Sequence, residues 1–151
     1  MRRILILCLI FMSLLAVIGS ASIPSRSKAD DIMIKDVWIP EGPPSAKATA
    51  AFMVIENHTA KEVALVAAKT EAARATEMHK MELRNETMEM KKVERISIPA
   101  NGKVELKSGG LHLMLIGLTK PLKAGDKVTF TLQFSNSTEK TIQAVVKKRD
   151  L

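Results

Sequence analysis

Between Lys127 and Phe134 the chain alternates strictly. Val128, Phe130, Leu132 and Phe134 are apolar, while Lys127, Thr129, Thr131 and Gln133 are polar. A period of two marks a strand with one face in a core and the other in water. The rhythm returns at Val104 and Leu106, set between Lys103, Glu105 and Lys107, and again at Ile142, Ala144 and Val146. Ile32–Trp38, Ala51–Glu56, Val63–Ala67 and Arg95–Ile98 are further strand candidates. Turn residues punctuate these runs at Glu41-Gly42-Pro43-Pro44, Asn57-His58-Thr59, Pro99-Ala100-Asn101-Gly102, Ser108-Gly109-Gly110, Lys123-Ala124-Gly125-Asp126 and Ser135-Asn136-Ser137. Asn101-Gly102 is the strongest hairpin prediction, because both residues tolerate positive φ. Short strands at this spacing predict an all-β fold, a small antiparallel two-layer β-sandwich or barrel. Only Ala67–Glu77 has helical composition, and a turn of helix or an irregular crossing is expected there.

With 151 residues the chain has material for one core. Its formal charge of +7 overstates how basic that core domain is: Arg2, Arg3, Arg26 and Lys28 all precede residue 30, and removing them leaves +3 for residues 30–151. So small a charge, with Trp38, Phe52, Phe130 and Phe134 as the only aromatics beyond residue 29, makes no stacking platform for nucleic acid.

Residues 1–29 read as a signal peptide. Met1-Arg2-Arg3 is a basic start, and Ile4–Ile18 is an apolar run of fifteen residues, short of what a membrane span requires. Cleavage fits after Ala21 or after Ala29; the second leaves Asp30-Asp31 to open an exported domain at 30–151. The expected location is the periplasm, with no stable membrane span in the mature form, or with an N-terminal anchor if the segment is retained. Cys8 is the single cysteine and lies inside the apolar run, without the preceding small residue that lipid attachment would want. The mature domain therefore has no disulfide and no thiolate, which removes both a zinc–thiolate site and a His₂Cys blue-copper site.

What it does have is three histidines and seven methionines. His79-Lys80-Met81 and His112-Leu113-Met114 each place an imidazole and a thioether at i and i+2, on one face of a strand. Met88-Glu89-Met90 offers a thioether pair in the same way. A two-residue turn at Arg84-Asn85 would set Met81 against Met88 and His79 against Met90. On the third strand Leu111, Leu113 and Leu115 take the core face, so His112 and Met114 are expected outward or at a rim. Thioether and imidazole together suit Cu(I), whereas Mg²⁺ and Ca²⁺ prefer oxygen and Zn²⁺ recruits thiolate or carboxylate. Neutral ligands lose no thiol proton on binding, so copper is expected to leave mainly as the imidazoles take up protons in acid.

Ordinary packing explains some of these residues. Met33, Met53 and Met78 are assigned to the core, and His58 to a turn at the surface. Met81 and Met88 fit outer ligands and plain sheet surface equally. His79, Met90, His112 and Met114 would each pass as structural alone; together they form a soft-metal set.

The same four positions carry a resemblance. His79, ten residues, Met90, twenty-one residues, then His112-Leu113-Met114 match the signature of the periplasmic copper chaperones of the PCu(A)C family. Given His79, composition alone would yield the other three offsets with odds on the order of 10⁻⁴. The wording of Ile34–Pro40, Phe52–His58, Glu77-Met78-His79, Ile98–Gly117 and Leu118–Asp126 is similar too, covering roughly residues 32 to 147. The resemblance implies a cupredoxin-like (immunoglobulin-like) β-sandwich that binds one Cu(I) through His79, Met90, His112 and Met114. It further implies transfer towards the Cu(A) centre of cytochrome c oxidase, with a Sco-like thioredoxin-fold assembly protein and oxidase subunit II as acceptors. Lys80 stands where some relatives have a methionine. The C-terminal Lys147-Lys148-Arg149-Asp150-Leu151 has none of the His/Met-rich tail that serves Cu(II) in others. The alternative is a metal-free extracytoplasmic β-sandwich that binds another protein. Enzymatic hydrolysis is disfavoured because no carboxylate is spaced as a base, and Glu77 is only a candidate outer partner of His79.

Overall fold

The computed structural model describes residues 31–148. The export segment with its two cleavage positions, and Arg149–Leu151, lie outside the described residues.

Ten strands follow in order: β1 (Ile32–Pro40), β2 (Ala48–Asn57), β3 (Val63–Lys69), β4 (Ala73–Arg84), β5 (Thr87–Val93), β6 (Ile96–Ile98), β7 (Gly102–Leu106), β8 (Leu111–Leu118), β9 (Lys127–Phe134) and β10 (Glu139–Lys147). They form one ladder, β5-β4-β8-β7-β2-β1-β10-β9-β3-β6, with β8 also pairing β2. The ladder folds over on itself as a β-sandwich, so Leu113 and Leu115 of β8 share one core with Phe130 and Leu132 of β9. The all-β expectation holds, and the β9 alternation is as read: Val128, Phe130, Leu132 and Phe134 are buried.

β1 joins the two layers. Its first half runs antiparallel to β2, from Ile32↔Asn57 to Lys35↔Val54. A bulge follows, with Asp36 at φ +52°, after which Trp38–Pro40 run parallel to Val145–Lys147 of β10. A bulge is the ordinary way for a strand to turn from one sheet to another. β2 is divided as well: Ala48–Ala51 pair with β8, and Met53–Asn57 with β7.

Four local expectations are corrected. Ala67–Glu77 is neither helix nor irregular crossing: β3 ends at Lys69, a tight turn follows, and β4 begins at Ala73. Alanine-rich composition yields here to strand pairing, Ala67–Lys69 with β9 and Ala73–Glu77 with β8. Asn101-Gly102 does not close a hairpin, because β6 pairs with β3 while β7 pairs with β2. The segment is a corner between layers, closed by Gly102 N–H donating to the Pro99 carbonyl at 3.1 Å, with Asn101 at φ +50°. A Cβ at Gly102 would sit 2.7 Å from Pro99 Cγ. Met33 is 43% exposed and not core, because its neighbour Ile32 takes the inward face. The β4–β5 turn lies at Asn85-Glu86, not Arg84-Asn85, so Arg84 opposes Thr87. Both turn residues have positive φ, as a type I′ turn demands.

Candidate metal centre

The corrected turn shifts the β4–β5 register by two residues, which keeps every side chain on its face. Met81 therefore opposes Met90, Leu83 opposes Met88, and His79 opposes Lys92. On the other edge of β4, His79 opposes His112 and Glu77 opposes Met114. β2 continues the face, with Ala50 opposite Met114 and Ala48 opposite Ile116. Inward residues of the same strands, Met78, Leu113 and Ala51, are in the core. The sequence parity thus holds: His79, Met81, Met90, His112 and Met114 share the outer face of one sheet.

That face is not the open surface expected. His112 lies on the predicted outer face but is only 4% exposed, so it is enclosed there and does not stand at an open rim. It lines an open groove together with Met81, Met90, Met114, Trp38 and Phe52. Those two rings tilt against each other at 5.0 Å between centroids. The short side chains of Ala48 and Ala50 leave the space that larger residues would fill. The cover comes from β1 and β2 and from the loop at Ser108-Gly109, contributions that the local sequence around His112 does not contain. The aromatic pair was missed as part of the site; Trp38 and Phe52 lie far from the His/Met motifs in sequence and meet them only through β-sheet pairing.

His79 stands beside the groove, its ring centroid 5.9 Å from that of His112. Each imidazole has one nitrogen engaged. His112 Nδ1 donates to the Gly110 carbonyl at 3.0 Å, and the Met81 N–H donates to the same oxygen at 3.1 Å. His79 Nε2 donates to Glu77 Oε2 at 2.9 Å, while its Nδ1 is buried with no hydrogen-bond partner. A buried, unpaired imidazole nitrogen is costly unless a ligand completes it. Glu77 Oε1 accepts from Lys92 Nζ at 2.7 Å. These bonds, from Lys92 first and then His79, hold the Glu77 carboxyl below its ordinary range. Lys92 was not singled out from the sequence, although its i+2 relation to Met90 puts it on the same face.

Met53 and Met78 are core residues as assigned, and His58 lies at the surface, 3.3 Å from Glu56. Met88 is 49% exposed and sits apart from the groove lining, whereas Met81 belongs to it. Among the described residues no group of three or more His, Cys, Asp or Glu is placed to hold a metal ion. Likewise among the described residues, no helix is long and apolar enough to cross a membrane.

The family described as "Putative lipoprotein LpqE-like" matches residues 32–146. The chain belongs to this family. A relative from Leifsonia xyli subsp. xyli, named "Putative lipoprotein Lxx21020", is 33% identical over 131 residues, 85% of this chain and 76% of its own length. Among solved structures, the copper-bound PCuAC domain of PmoF2 superposes with a TM-score of 0.68 at 22% identity, covering 79% of this chain and 94% of that domain. The solution structure of CuI-DR1885 from Deinococcus radiodurans gives a TM-score of 0.62 at 32% identity, covering 78% of both chains. The resemblance to the PCu(A)C family read from the sequence therefore holds, and none of these relatives is named for an enzymatic activity.

Proposed function

We propose that this protein is an exported, non-enzymatic copper carrier that binds one Cu(I) through His79, Met90, His112 and Met114 and hands it to an acceptor. The observation that carries the reading is the pair of opposed imidazoles: each has one nitrogen tied to an acceptor, leaving the other free, beside a groove lined by three thioethers. Metal–nitrogen bonds to imidazole are about 2.0–2.1 Å, so a ring centroid lies roughly 3.2 Å from a bound ion and two rings on one ion are at most about 6.4 Å apart. The observed 5.9 Å lies inside that bound. Copper in the PmoF2 and DR1885 structures and the lipoprotein description of the family support copper as cargo and export as the route.

The four ligands differ in access. His112 is buried, while Met90 is 49% exposed on the edge strand β5. An incoming acceptor ligand can replace the Met90 sulfur first, with the ion still held from beneath by the imidazoles. Ligand exchange of this kind moves copper without releasing it to water. Following the PCu(A)C resemblance, the acceptors are a Sco-like thioredoxin-fold protein and subunit II of cytochrome c oxidase, for assembly of the Cu(A) centre, and the compartment is the periplasm.

Titration with Cu(I) under reductant, in competition with a chromogenic Cu(I) chelator, tests the carrier. The expected result is one equivalent retained per chain, without intense thiolate absorption. A protein that surrenders all its copper to a weak chelator is not this carrier and fits the metal-free interaction module instead.

A further inference from the structure

We propose that Glu77 is a positioning residue that makes the two imidazoles of the site unlike, so that His79 presents Nδ1 to the ion and His112 presents Nε2. The inference rests on the copper reading for its purpose, but the hydrogen bonds that carry it stand without copper. An ionised carboxylate only accepts hydrogen bonds, as does a backbone carbonyl. Glu77 Oε2 at 2.9 Å therefore requires the proton of neutral His79 on Nε2, and the Gly110 oxygen at 3.0 Å requires that of neutral His112 on Nδ1. The bare nitrogen is then Nδ1 in the first ring and Nε2 in the second. The burial of His79 Nδ1 without a partner is the independent mark that this nitrogen awaits a ligand.

Glu77 is itself held. Its other oxygen accepts from Lys92, two residues beyond Met90 on β5, so the carboxylate spans the two strands that carry His79 and Met90. Outer partners that fix the tautomer and aim of a ligating histidine commonly contribute 10- to 100-fold in metal affinity.

Glu77→Gln separates these roles. The amide keeps the size of the carboxylate but adds an N–H₂ donor that can satisfy a bare Nε2, so the restriction to one tautomer is lifted. Long-range ¹H–¹⁵N correlation on the metal-free, ¹⁵N-histidine-labelled protein reads each ring directly. The wild type is expected to show pyridine-like Nδ1 in His79 and pyridine-like Nε2 in His112. Glu77→Gln should mix the two forms at His79, leave His112 unchanged, and weaken Cu(I) binding by about 10- to 100-fold. His79 protonated at Nδ1 in the wild type, or an unchanged His79 pattern or unchanged affinity in Glu77→Gln, overturns the proposal. Should the wild type show both expected tautomers yet fail to retain Cu(I), the carrier reading falls while the selection of tautomers by Glu77 stands.

Discussion

Replacing Met90 by alanine should separate binding from folding. The side chain is 49% exposed, on a strand with a neighbour on one side only. Full burial of a methionine is worth about 1.5–3 kcal/mol, so half-burial sets the cost of its removal at roughly 0.75–1.5 kcal/mol. In a domain of this size that is a fall of a few degrees in Tm. Loss of a direct ligand should exceed the loss of an outer partner, so Cu(I) affinity should fall by more than about 100-fold. Thermal unfolding of the metal-free protein and chelator competition on the same sample read the two effects side by side. Met81→Ala is the control, because Met81 opposes Met90 across the ladder and lines the same groove. It should stay within about ten-fold of wild type, as a residue outside the ligand set. A Met90→Ala protein that keeps full affinity would refute the ligand set, and loss confined to Met81→Ala would move the ligand by one cross-strand position.

Two further predictions concern the frame that holds the site. Asn57, 1% exposed at the end of β2, donates to the carbonyls of Lys61, Ile98 and Pro99 and accepts from Thr59 N–H and Oγ1. At about 1 kcal/mol net per bond, with buried carbonyls left unpaired, Asn57→Ala should cost roughly 2–4 kcal/mol in urea unfolding; a cost near zero would mean the corner does not depend on it. Glu86 adopts φ +65° in the β4–β5 turn, a conformation that costs a side-chain-bearing residue about 1–2 kcal/mol and glycine little beyond its own chain entropy. Glu86→Gly should therefore raise stability by roughly 0.5–1 kcal/mol without changing copper affinity, and a lower Tm would contradict the turn geometry.

Face assignment was legible in the sequence because parity survives errors of register. The turn at Asn85-Glu86 has no glycine to mark it, and placing it one residue early moved each cross-strand partner by two; His79, Met81 and Met90 still fell on one face. Leu113 and Leu115 identified the core face of β8 correctly. Partner choice was not legible. Nothing in the alternation of Lys103–Lys107 says that β7 lies beside β2 and not β6, and nothing near His112 announces Trp38 and Phe52 as groove residues. Ile32-Met33-Ile34 is apolar throughout, so periodicity could not say which of them faces solvent. Glu77 was visible as an i+2 neighbour of His79, but its second bond, to Lys92, depends on how two strands pair.

X-ray absorption at the copper edge of the Cu(I)-loaded protein tests the ligand set most directly. Two sulfur and two nitrogen neighbours are predicted, falling to one sulfur in Met114→Ala. A shell of nitrogen and oxygen alone, or a sulfur count indifferent to Met90 and Met114, would contradict it.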